Sequence, residues 1–99
     1  MTNQIKAAHI LCSTESSDKE EALAKITDIK AKYEAGESFA DLAREFSDCP
    51  SGSKGGDLGL FGRGAMVEEF DKAAFDLKED QVSEVVETEF GYHLIHRIS

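Results

Sequence analysis

Tryptophan is absent from this 99-residue chain, proline occurs once and cysteine twice. Cys12 and Cys49 are too few and too far apart for a disulfide framework, and no Cys-x-x-Cys pair exists to support dithiol redox chemistry. Basic residues are scarce as well, 11 against 20 acidic ones, which sets the formal net charge at −9. That balance argues against nucleic acid or an anionic membrane as a general partner, and against acidic substrates unless a local basic patch exists. No apolar run approaches the roughly 18 residues of a membrane span. The opening MTNQIKAAHIL lacks the charged start, apolar middle and cleavage site of a secretory signal. The expectation is a single domain over residues 1–99, monomeric, in a reducing, cytoplasmic setting.

Chemical motifs are equally thin. The run GSKGG lacks the full spacing of a phosphate-binding loop. His93 and His96, three apart on a strand, fall on opposite faces and do not chelate one metal, so no metal is expected. What the chain does have is Phe46–Phe70, FSDCPSGSKGGDLGLFGRGAMVEEF. It joins a thiol, the lone proline and six glycines to Leu58, Phe61, Met66 and Phe70. Glycines free the backbone for close turns, and large apolar side chains on such a segment must fold over something. A binding rim is one reading; a connecting loop pinned to the core by a few hydrophobes is the other.

The remaining elements follow in order. Ile5–Cys12 reads as a strand, with His9 sharing a face with Ala7 and Leu11. Ser17 and Glu20 form a capping box for a helix carrying Leu23, Ile26, Ile29 and Tyr33, stopped by Gly36. Ser38 caps a second helix with Phe39, Leu42, Ala43 and Phe46 on its apolar face. Pro50 disfavours helical geometry at Cys49 and ends it. A short strand over Asp57–Leu60 precedes a helix marked by Val67, Phe70, Ala74 and Leu77. Val82–Val86 and Phe90–Ile98 read as a closing pair of strands. The class is α+β, a small sheet half-wrapped by helices.

The stretches AAHIL, FADLAREFSDCPSGSKGGDLGLFGRGAMVEEFDKAAF and VSEVVETEFGYHLIHRI, taken together, resemble the parvulin-type peptidyl-prolyl cis/trans isomerases over nearly the whole chain. The resemblance implies a four-stranded antiparallel sheet surrounded by helices in the order βαααβαββ, with a third short helix inside Pro50–Lys54. It implies a catalytic pocket from His9, Cys49, Thr88 and His93, substrate-binding residues Leu58, Phe61, Met66 and Phe70 (an apolar cup from Leu58, Met66 and Phe70 with Phe61 nearby), and no cofactor. Substrates would be proline-containing peptides and flexible protein segments. His9 and His93 could equally be structural, bonded to each other and to Thr88; Phe70 could be plain core. A noncatalytic, chaperone-like module that holds proline-containing segments would show the same pocket, and a redox protein centred on Cys49 is a third class.

The resemblance also has departures. Phosphoserine-directed members carry basic residues in the loop after the first strand. Here that loop reads CSTESSDKEE, with Lys19 alone among Glu15, Asp18, Glu20 and Glu21. No WW module stands within these residues. Phosphate-directed specificity is therefore not expected, and only Lys54 and Arg63 in the glycine-rich segment offer a rescue.

Overall fold

The computed structural model describes residues 4–15 and 18–99. The elements are β1 (Gln4–Ser13), α1 (Lys19–Glu34), α2 (Phe39–Phe46), a 3₁₀ helix (Pro50–Lys54), β2 (Asp57–Gly62), α3 (Glu68–Asp76), β3 (Val86–Thr88) and β4 (Gly91–Arg97). The strands form one antiparallel sheet in the order β2-β1-β4-β3. With the 3₁₀ helix counted third among the helices, this is the expected α+β order.

Alternation along β1 divides the core. Ala8, Ile10 and Cys12 pack with Leu94 against Ala22, Ile26, Ile29 and Leu42 of α1 and α2. Ile5 and Ala7 face the other way and pack with Ile95 against Phe61, Phe70, Ala74 and Leu77. The continuation of that second face, past Ala7, is His9 and then Leu11.

The helix ends follow local chemistry. Asp18 is the N-cap of α1, its carboxylate accepting from the Glu21 amide at 2.8 Å; the expected cap Ser17 lies outside the described residues. Gly36 follows the helix at φ 110°, the left-handed stop its sequence signals. Ser38 caps α2, accepting from the Asp41 amide. Leu23 departs from expectation. It is 42% exposed, and Ala22 takes the buried position with Ile26 and Ile29, because the face that meets the sheet is turned by one residue.

The closing strands are also shorter than expected. Val82 makes only an isolated bridge to His96, and β3 begins at Val86, opposite His93, so the register slips by one residue between them. Ser83 causes part of this irregularity: its hydroxyl oxygen accepts from the Ile95 amide in place of a backbone carbonyl. Phe90 lies in the β3–β4 turn, 47% exposed, rather than in the strand.

Two glycines shape β2. At Gly56 (φ 82°) a Cβ would stand 2.3 Å from the His9 carbonyl oxygen, so only glycine lets this backbone close on β1 and bond the His9 amide to Gly56 O at 2.9 Å. Gly59 (φ 72°) sits in a bulge: Lys6 pairs with Leu60 but Ala8 pairs with Asp57, leaving two residues of β2 against one of β1. Strict alternation would put Leu58 and Phe61 on opposite faces. The bulge brings both to the same side of the sheet, with Ile5 and Ala7.

Candidate active site

A cavity of about 320 Å³ opens on that side of the sheet, lined by His9, Leu11, Cys49, Leu58, Met66, Val67, Phe70, Phe90 and His93. Leu58 comes from the bulged strand. Met66 and Val67 lead into α3, and Phe70 lies on its first turn. Of the residues expected in the site, His9, Cys49, Leu58, Met66, Phe70 and His93 meet here. Thr88 stands behind them, bonded to His93. Phe61 is a correction. It is 6% exposed and packs behind Phe70 and against Phe75, at ring distances of 6.3 and 5.9 Å, so it supports the wall without lining the cavity.

Leu11, Val67 and Phe90 were missed. Leu11 was readable from its shared strand face with His9; Phe90 was not, because a turn rather than a strand presents it.

Cys49 is carried to the cavity by the two residues before it. Ser47 Oγ accepts from the Leu11 amide at 3.1 Å and from the Cys49 amide at 3.3 Å. Asp48 donates its amide to Leu11 O and accepts from the Ser13 amide through Oδ2, both at 2.8 Å. These bonds staple the end of α2 to β1. Cys49 then takes an extended backbone (φ −88°, ψ 141°), as the following proline requires. Ser51 Oγ lies 3.2 Å from Cys49 Sγ and donates to it. Both cysteines are free.

The two histidines form a chain. Thr88 Oγ1 is 2.8 Å from His93 Nε2, and His93 Nδ1 is 3.1 Å from His9 Nδ1. A contact between two Nδ1 atoms requires a proton on one and a bare lone pair on the other, so the bonded pair is neutral on at least one ring. Thr88 Oγ1 already accepts from the Phe90 amide at 3.2 Å. If its hydroxyl donates to His93 Nε2, then His93 donates from Nδ1 to His9, and only the His9 Nε2–H lacks a partner. The reverse order strands the Thr88 hydroxyl proton as well, so the first arrangement is preferred. His9 Nε2 is the buried side-chain atom without a partner among the described residues.

Phe70 meets both imidazoles edge to face, at 5.5 and 5.3 Å. Burial pushes His9 down to about 4, and burial together with the neighbouring His9 pushes His93 down to about 4. At neutral pH the polar side of the cavity is therefore an uncharged imidazole pair beside a thiol. Among the described residues no group of three or more His, Cys, Asp or Glu is placed to hold a metal ion.

An uncharged polar edge facing an apolar cup suits a ligand that is itself apolar and uncharged, such as an imino-acid ring and its amide. The family model of the PPIC-type PPIase (rotamase) domain matches residues 9–99. The chain is 48% identical over 93 residues to the foldase protein PrsA of Geobacillus kaustophilus, covering 93% of this chain and 30% of that protein. Among solved structures, the parvulin of Nitrosopumilus maritimus is 45% identical, with 100% of this chain and 99% of that one covered and a TM-score of 0.78. PrsA from Bacillus subtilis is 44% identical, covering 98% of this chain and 35% of that one, with a TM-score of 0.85. The chain thus spans about 30% of the length of the curated foldases it matches. It belongs to the PPIC-type peptidyl-prolyl isomerase family, the parvulins.

Proposed function

We propose that this protein catalyses cis/trans isomerisation of X–Pro bonds in peptides and flexible protein segments, without covalent attack and without a cofactor. The observation that carries this is the cup itself: Leu58, Met66 and Phe70 wall an apolar cavity whose polar edge is Cys49 and a neutral histidine pair. Rotation about the bond is opposed by about 18–20 kcal/mol, and no bond need break. Each tenfold acceleration requires about 1.4 kcal/mol. Gripping the ring in a dry cup while the Cys49 thiol at its edge meets the twisted amide supplies it, because the twisted form is bound better than either planar form.

Phosphate before the proline is not favoured. Lys19 is paired with Glu87 at 3.1 Å, and Arg63 lies over the Phe75 ring at 4.5 Å. Lys54 lines a cavity on the opposite face of the sheet. None of these cations borders the cup, and a phosphoserine bringing about −1.5 to −2 charges meets a chain already at −9. We also propose a monomer in a reducing, cytoplasmic setting, a reading supported by the two free thiols and by the self-repulsion of the net charge.

Exchange NMR on peptide pairs tests the proposal. Leu–Pro and Arg–Pro bonds should interconvert faster with catalytic protein than Glu–Pro, and Ser–Pro faster than phosphoSer–Pro. Binding without acceleration would leave only a holding module, and a phosphopeptide turned over faster than its unmodified twin would overturn the specificity.

A further inference from the structure

A second cavity, of about 440 Å³, lies on the α1/α2 side of the sheet, and nothing in the isomerase chemistry uses it. Its apolar lining includes Ala8, Tyr33, Phe39 and Ile98, with His96 between them. Tyr33 meets Phe39 edge to face at 5.9 Å, and the Phe39 ring is 5.3 Å from His96, whose Nε2 is held by Asp80 at 2.9 Å. Ile98 is 36% exposed. Leu60 is 65% exposed and pairs with Lys6, which shares a strand face with Ala8, so it extends the apolar surface towards the sheet edge.

The two cavities stand back to back. Along β1, Ala8 lines one and His9 the other; along β2, Asp57 lines one and Leu58 the other. β2 is an edge strand, with no strand beyond it among the described residues. A polypeptide leaving the catalytic cup past Leu58 therefore has a short route over that edge, past Leu60, into the second cavity. A strand with side chains on both faces is on the order of 10 Å thick, and an extended chain covers about 3.3 Å per residue. A spacer of about six residues makes the turn. The rim carries one cation, Lys54, against two carboxylates, Glu37 and Asp57, which disfavours an acidic side chain, while the lining between them is mostly apolar. Overall charge favours a segment that is not acidic.

We propose that this cavity is a second client subsite. It takes an aromatic or aliphatic side chain of the same polypeptide whose proline occupies the cup, about six residues away in sequence. This rests on the isomerase reading and deepens it: the domain would favour unfolded segments rich in apolar residues over isolated X–Pro bonds. Two linked contacts raise affinity through effective concentration, without any new contact at the proline.

The test uses three peptides: a short Leu–Pro tetrapeptide, the same bond joined through six Gly/Ser residues to Phe-Leu on either side, and a twin with Ser-Ser in place of Phe-Leu. The Phe-Leu peptide should bind at least fivefold tighter than its twin in at least one orientation. It should also shift the amide resonances of Tyr33, Phe39 and His96, which the tetrapeptide leaves in place. In Leu60→Asp/Ile98→Asp, whose altered residues lie outside the cup, the gain should vanish while tetrapeptide exchange is unchanged. The resonance mapping on the unaltered protein decides the matter if that variant fails to fold. Equal affinities of the Phe-Leu and Ser-Ser peptides overturn the subsite, as does a gain that survives the double variant in its folded form, or dimerisation through this face in sedimentation. Loss of tetrapeptide acceleration in the unaltered protein is a different failure, that of the isomerase reading itself.

Discussion

Acidification from pH 7 to pH 5 should destabilise the fold through His9 and His93. The rings are 6% and 4% exposed, and their Nδ1–Nδ1 bond requires one bare lone pair. Protonation of both removes that lone pair and sets two buried cations side by side, ring centroids 5.3 Å apart. Each ring titrates near 4 in the folded protein, against 6.5 in an unfolded chain. Since the folded values are depressed, the unfolded state takes up protons first. Stability from the neutral pair is complete above about pH 6.5 and is lost as pH falls from there through 4. Between pH 7 and pH 5 the loss is about 2 kcal/mol per ring, or about 4 for two treated as independent. Against a total of about 5–15 kcal/mol for a small domain, that is a large share. Urea unfolding followed by far-UV circular dichroism, at pH 7, 6 and 5, measures it. The control is His9→Gln/His93→Gln, whose own slope reports the carboxylates common to both proteins. The stability gap between the two proteins should narrow by about 4 kcal/mol. A gap constant from pH 7 to pH 5 would refute the buried neutral pair.

Met66 and Phe70 should separate binding from stability. Met66→Ala, at a half-buried wall, should weaken peptide affinity about tenfold, or about 1.4 kcal/mol, with little change in the unfolding midpoint. Phe70→Ala should cost about 3–4 kcal/mol of stability as well, because that ring is 3% exposed and belongs to the core and the cup together. Gly59→Ala should cost about 1–2 kcal/mol, a pure backbone penalty with open space around the new methyl group. Gly56→Ala should yield little folded protein, since its Cβ meets the His9 carbonyl; comparing soluble yield and melting temperature checks both. Cys49→Asp should retain substantial exchange activity in the NMR assay, since a polar group at the cup edge is kept. Activity abolished by Asp but preserved by Ser would point to sterics or to the thiol itself.

Sequence alone was enough for the class and for most elements, because their signals are local: Ser38 before Phe39, Gly36 after α1, Pro50 after Cys49. It misled where tertiary packing decides. Leu23 has the right periodicity to be buried, yet Ala22 faces the sheet, since which of two neighbouring stripes meets the core depends on how α1 lies on it. Val82–Val86 has strand composition, but Ser83 takes a ladder position with its side chain and breaks the run. Leu58 and Phe61 were both assigned to the cup without a reason for their common face. The bulge at Gly59 supplies that reason, and Phe61 packs a layer back, behind Phe70.

The choice between histidines as proton-transfer groups and histidines as a strut was open in the sequence, and the geometry bears on it. Each Nδ1 is occupied by the other ring, and His93 Nε2 is occupied by Thr88. The remaining ring nitrogen, His9 Nε2, has no partner among the described residues and is shut away from solvent. No ring nitrogen is thus left both accessible and free. The chain of contacts instead ties β1 to β4 and β4 to the end of β3, directly under Phe70. A hydrocarbon pair would bury there at less cost in desolvation, but it could not fix the angle between three strands through directed bonds. On the proposed isomerase reading, the pair acts first by holding the floor on which Phe70 and a substrate ring would rest. Among the polar residues lining the cup, that leaves the Cys49 thiol, oriented by Ser51 and by the Ser47–Asp48 staple, as the group best placed to meet the turning amide.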